Sequence, residues 1–127
     1  DRGIDDFTHI PNGGPGVEHR PGLIITSFEN RLGVQDFARL MSEGPARVFG
    51  MYPRKGVLRV GSDADVTVWD PSVTWTISEK NQHQNVDYTP YEGVEIHGRP
   101  AYVFVNGELA VVDGEPTGAK PGAYVKR

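Results

Sequence analysis

The chain has 127 residues and a net charge of −4, which is room for one small domain and the wrong sign for a protein built around a nucleic-acid-binding face. Its 37% hydrophobic and 24% charged residues are a globular balance rather than a disordered one, and no apolar run approaches the ~20 residues of a membrane span. Cysteine is absent, which excludes disulfides and thiolate metal sites and fits a reducing, cytoplasmic setting.

The opening, DRGIDDFTHI, has neither a cap signal nor a hydrophobic rhythm and reads as an entry into the middle of a longer chain. From Pro11 to Gly22, glycine and proline dominate, so IPNGGPGVEHRPG is turn chemistry. LIITSFENR, Leu23 to Arg31, is compatible with helix or strand. The helical pattern that follows it favours helix. There Val34, Phe37, Ala38 and Met41 fall at i, i+3, i+4 and i+7, one face of an α-helix. SEGPARVFG predicts a second, shorter helix, with Pro45 in its first turn and Gly50 just past its end.

After Tyr52-Pro53 the rhythm becomes alternating. VLRV (57–60), DVTVWD (65–70) and VTWTI (73–77) are β-branched or aromatic and bounded by Gly, Asp or Pro, the signature of strands. Residues 79–93 are a polar excursion. GVEIHG, AYVFVNG and ELAVVDG then resume the strand pattern, and Asn106-Gly107 between two apolar runs predicts a tight hairpin. The tail, EPTGAKPGAYVKR, reads as a surface segment. A loop, two helices and then about six short strands predict an α+β chain with two zones meeting near Met51 to Arg54.

The chemistry-bearing residues are scattered. His9, His19, His83 and His97 fit neither H-x-H nor H-E-x-x-H spacing, so they read as surface or packing histidines rather than metal ligands. Asp63 and Asp65 would point the same way along a strand and could hold a cation. The alternative is that Gly61-Ser62-Asp63 is a turn from which Asp65 starts a strand. No nucleophile elbow, P-loop or dinucleotide fingerprint is present, and no complete catalytic set can be assembled from spacing alone. The opening loop is the remaining candidate. A rigid Gly/Pro loop can hold backbone N–H and C=O groups against an amide or imide with little entropy left to lose, and Asn12 adds a side-chain amide. A plain surface turn explains the same residues equally well.

DDFTHIPNGGPGVEHR, PARVFGMYPRKGVLRVGSDADVTVWDP and VDYTPYEG, in that order, resemble the C-terminal portion of the dihydropyrimidinases and D-hydantoinases, cyclic amidases of the amidohydrolase superfamily. The resemblance runs from about Asp5 to the end. PRKG followed four residues later by GSDAD is shared with related enzymes such as allantoinase, whereas IPNGGPGVE is narrower.

The resemblance implies a (β/α)₈ TIM barrel with a two-metal centre and a β-sandwich. Residues 1–50 would be the last loop and helices of the barrel, and residues 51–127 the C-terminal share of the sandwich. It implies two divalent metals, usually zinc, sharing a hydroxide and a carbamylated lysine, with the hydroxide attacking the ring carbonyl. The metal ligands and the catalytic aspartate of the family pattern lie upstream of Asp1, and no histidine here matches a ligand position. Asn12 matches the asparagine that meets the cyclic ureide through its main chain, with Pro11 and Gly13 as supports. The implied partners are a small cyclic ureide, the upstream polypeptide and further subunits of a homotetramer, with no nucleic acid or membrane. The isolated segment is expected to be inactive. Three alternatives remain: a non-catalytic dihydropyrimidinase-like assembly protein, such as the collapsin response mediators, an independent β-rich binding module, and another cyclic amidohydrolase such as an allantoinase. The full IPNGGPG loop speaks against the first. The apolar face of Phe37, Met41 and Phe49 speaks against the second.

Overall fold

The computed structural model describes residue 3, residues 5–10 and residues 12–126. A 3₁₀ turn, Phe7–His9, is capped by Asp6, whose Oδ1 accepts from the backbone N–H (2.9 Å) and hydroxyl (2.7 Å) of Thr8. Helix α1 spans Arg20–Phe28 and so begins inside the segment that reads as loop. Arg20-Pro21-Gly22 is its first turn, where the missing N–H of Pro21 leaves no helical bond unmade. The sequence expectation of helix for Leu23 onward therefore holds, with the start moved three residues earlier.

The two predicted helices beyond it are one helical run. Helix α2 (Val34–Ala38) passes through a π-helical turn (Arg39–Glu43) into α3 (Gly44–Val48). Pro45 explains the wide turn. It has no N–H to return to the preceding turn, and the Gly44 N–H donates instead to Arg39 O, five residues back. Below α3, the Met51 and Tyr52 N–H groups both donate to Ala46 O (2.8 and 3.1 Å).

The sheet has four antiparallel strands in the order β1-β2-β3-β4, not six. Strand β1 (Val66–Thr76) joins two predicted strands through Pro71. The register shifts between Asp70 and Thr74, because Asp70 Oδ1 accepts from the Ser72 N–H (2.8 Å) and Oγ (2.7 Å) and folds the extra residues into a bulge. Strand β2 (Glu95–Val105) likewise runs through Gly98-Arg99-Pro100. Gly98 has φ +84°, and a Cβ there would stand 2.2 Å from Trp69 Nε1, so only glycine lets the strand pass the indole. Asn106 (φ 50°) and Gly107 (φ 82°) make the predicted hairpin, through a turn of type I′, into β3 (Glu108–Val112). Asp113 (φ 49°) and Gly114 (φ 85°) make a second one into β4 (Glu115–Pro116).

Residues 57–60 form no strand. They lie in a turn pinned shut by Arg54 Nε–Asp63 Oδ2 (2.9 Å), Ser62 Oγ donating to Pro53 O (2.7 Å) and Asp63 N–H donating to Arg54 O (2.9 Å). Those bonds carry the apolar residues away from the sheet, leaving Val60 fully exposed.

Helix α1 lies on β2. Gly22 permits this, since a Cβ there would meet Ile96 Cγ2 at 2.8 Å. Thr26 Oγ1 accepts from the His97 N–H (2.9 Å), and His97 Nδ1 stands 2.8 Å from Glu29 Oε2. The buried centre is small: Ile77, Ile96, Ala46 and the ring of His19. Much apolar surface stays open on the α2–α3 run, including Val34, Leu40, Val48 and Phe49. No helix among the described residues is long and apolar enough to cross a membrane.

Candidate functional site

Asn12 and Gly13 are exposed, on one rim of an open cleft of about 820 Å³. Gly14 and Pro15 continue that rim. The opposite wall is the tip of the polar excursion, Gln84 to Tyr88. Pro11 lies outside the described residues.

The two walls are tied at their base. The Gly16 N–H donates to Gln84 Oε1 (2.9 Å). Glu18 Oε2 accepts from the backbone N–H groups of His83 (2.8 Å) and Gln84 (3.2 Å). Its Oε1 stands 2.7 Å from His83 Nδ1, and the other ring nitrogen of His83 is 3.3 Å from Glu115 Oε2 on β4. The hydrogen bonds to Glu18 and then Glu115 raise the His83 pKa above the usual imidazole value. The wall itself is shaped by Gln82, whose Nε2 donates to Val86 O and Tyr88 O (both 3.1 Å).

His19 is the pivot beneath. Its ring is buried against Trp75 (centroids 6.4 Å) and meets Tyr91 edge-on (6.2 Å, 84°). Neither ring nitrogen has a hydrogen-bond partner. Burial pushes its pKa down, with the nearby Glu18 charge acting weakly the other way, so the ring sits neutral as a packing group. Gly16 fits against the Tyr91 ring, where a Cβ would come within 3.2 Å. Glu18 and His19 thus hold the opening loop in position.

The remaining candidates fall elsewhere. His9 sits on the exposed 3₁₀ turn. His97 faces Glu29 and Glu95, whose hydrogen bonds raise its pKa, Glu29 foremost. Asp63 and Asp65 do share a cation, which is the protein's own Lys55: its Nζ is 2.9 Å from Asp63 Oδ2 and bonds Asp65 Oδ2. Burial alone would lower the Lys55 pKa, but the bonds to Asp65 and Asp63 hold it above its usual value. Asp65 Oδ1 also accepts from the Asn106 N–H (2.8 Å), locking the knot to the β2–β3 turn. Among the described residues no group of three or more His, Cys, Asp or Glu side chains stands where it could hold a metal ion.

The cleft is thus lined by the Asn12 and Asn85 amides, the glycine backbone, Asp87 and Tyr88, while the Gln84 amide is spent on the Gly16 N–H and Gln82 Oε1. That set suits hydrogen bonding to a small polar ring. The structure places Asn12 and Gly13, singled out in the sequence, on the cleft rim, beside Glu18, His83 and the 84–88 wall, which no sequence signal marked. Glu18 and His83 are 65 residues apart, and no local pattern links them.

The model of the amidohydrolase family matches residues 21–110, most of the chain. The chain belongs to the amidohydrolase family. It is 43% identical to a D-hydantoinase of Rhizobium radiobacter over its whole length, covering 28% of that protein. It is 44% identical to a D-hydantoinase of Streptomyces coelicolor, covering 98% of this chain and 27% of the relative. Two solved structures share the backbone. The D-hydantoinase (dihydropyrimidinase) of Thermus sp. has TM-score 0.86 and 47% identity, over 94% of this chain and 27% of that one. The D-hydantoinase of Bacillus sp. AR9 has TM-score 0.89 and 42% identity, over 99% and 28%. The chain thus spans just over a quarter of the length of the relatives it matches, and as an amidohydrolase segment it is an α+β unit around an antiparallel sheet.

Proposed function

We propose that this amidohydrolase chain is the C-terminal part of a metal-dependent hydrolase that opens cyclic ureides, hydantoins or dihydropyrimidines, to N-carbamoyl amino acids. The observation that carries the reading is the match of its whole length to D-hydantoinases at 43% identity, with Asn12 and Gly13 presented on the rim of a polar cleft. Residues 1–50 would end a (β/α)₈ barrel, which needs ~250 residues in all, and residues 51–127 would be one share of a β-sandwich. The open apolar surface of Leu40, Val48 and Phe49 supports this division, because contiguous exposed apolar surface wants a cover. Assembly as a homotetramer belongs to the same proposal.

The described residues do not fit the metal pair. His83 and His97 are engaged by carboxylates, His19 is buried, and Asp63 and Asp65 are filled by Lys55. Two zinc ions, a carbamylated lysine and the hydroxide attack would have to come from upstream residues. What this chain contributes is orientation. The backbone at Asn12 would offer a donor and an acceptor to the ring, with Pro11 and Gly13 fixing their direction. Glu18 and His19 would hold that platform steady.

The test is a chimaera in which these residues replace the matching segment of a D-hydantoinase, assayed with hydantoin and dihydrouracil. Ring opening is expected. A chimaera that folds and loads metal but opens neither ring would sink the reading. The isolated 127 residues with added zinc should show no turnover above background.

A further inference from the structure

The chain holds two Asn-Gly pairs, Asn12-Gly13 and Asn106-Gly107. In such a pair the backbone nitrogen of glycine can reach the side-chain carbonyl carbon of asparagine, since no Cβ stands in the way. The fold treats the two pairs in opposite ways.

At the hairpin both reacting groups are held. The Gly107 N–H donates to Ala64 O (3.0 Å), and Asn106 Nδ2 donates to Pro121 O (2.6 Å). The Asn106 N–H is tied to Asp65 Oδ1 (2.8 Å). At the cleft rim Asn12 and Gly13 are both exposed, and neither makes a hydrogen bond among the described residues. Gly13 has φ +79°, and a Cβ placed on it would meet nothing within 4 Å. No hydrogen bond among the described residues holds the nucleophile or the leaving amide there.

We propose that Asn12 is a spontaneous deamidation site, with the backbone nitrogen of Gly13 as the internal nucleophile. That nitrogen bonds to Asn12 Cγ, the bond from Cγ to Nδ2 breaks, and ammonia leaves with the proton lost from Gly13. The resulting succinimide is opened by water at either carbonyl, giving aspartate or isoaspartate. Water is the only co-reactant. Either product adds a negative charge to the rim, and isoaspartate also inserts a carbon into the main chain beside Gly13. If the ring-contact reading above is right, isoaspartate at position 12 would displace the contacting backbone. The modification itself does not depend on that reading.

The experiment follows both pairs in the 127-residue chain, incubated at mildly alkaline pH, digested at intervals and read by peptide mass spectrometry. Near-ultraviolet dichroism from Trp69 and Trp75 first establishes that the chain is folded. In folded protein Asn12 should convert roughly tenfold or more faster than Asn106, because at least two hydrogen bonds must break at the hairpin before it reacts. In urea the two rates should converge. Gly13→Ala should slow conversion at Asn12 and leave Asn106 unchanged. Equal rates in folded protein, or an Asn12 rate untouched by Gly13→Ala, would overturn the proposal. The readout is a mass change, so loss of the ring-opening reading would leave the result interpretable.

Discussion

Replacing Glu18 by alanine should release the 84–88 wall from the opening loop. The carboxylate accepts two backbone N–H bonds, at 2.8 and 3.2 Å, and faces the His83 ring at 2.7 Å. Hydrogen bonds to a charged acceptor are worth about 1.5–3 kcal/mol each when well shielded. Here Glu18 is only partly covered and the His83 side chain is 40% exposed, so solvent screening brings each nearer ~1 kcal/mol. The sum is about 2–3 kcal/mol, a large share of the stability of a small unit. Urea unfolding of the 127-residue chain reads the loss as a lower midpoint with an unchanged slope. Amide exchange locates it, because the His83 and Gln84 N–H groups should lose protection while Ile77 and Ile96 keep theirs. A loss below about 0.5 kcal/mol, or protection unchanged at residues 83 and 84, would refute the argument that Glu18 fastens the cleft.

The histidines make a pH prediction with two signs. Because the folded pKa values of His83 and His97 are raised, their contribution is complete below the unfolded value of ~6.5 and is lost as pH rises through the folded values. Glu18→Gln should flatten the part due to His83, measured as unfolding free energy against pH. The folded pKa of His19 is lowered, so its contribution is present above ~6.5 and falls as pH drops towards the folded value. His19→Phe should remove that acid-side fall and change stability at neutral pH by under about 1 kcal/mol, since no hydrogen bond is lost. Gly98→Ala should destabilise by about 2–4 kcal/mol, from the left-handed backbone and the collision with Trp69. Thermal unfolding checks it, and a shift of the size seen for exposed surface substitutions would contradict the close approach.

The helical face of Phe37 and Met41, the turn at Asn106-Gly107 and the dominance of Gly and Pro before α1 were all legible, because each rests on a local rule. Three features were not. The strands at 65–70 and 73–77 look separate because Pro71 and Ser72 carry loop composition, yet the Asp70 side chain turns them into a bulge within one strand. Residues 57–60 have strand composition, but the Arg54–Asp63 closure holds them off the sheet. The turn at Asp113-Gly114 leads into a strand of only two residues, Glu115–Pro116, too short to carry an alternating pattern. At the candidate site the near rim could be read from Asn12 and Gly13. The far wall could not, since residues 84–88 have no period and are tied to the rim through Glu18 and Gln84.

The central claim is that the opening loop meets a cyclic ureide through its backbone at Asn12. The direct measurement is kcat/KM of the D-hydantoinase chimaera carrying Asn12→Ala or Asn12→Pro. Asn12→Ala keeps the N–H and C=O and should lower kcat/KM by no more than about tenfold. Asn12→Pro removes the N–H and should lower it by roughly a hundredfold or more, with metal content unchanged. Equal effects of the two substitutions, or no effect of either, would contradict the claim.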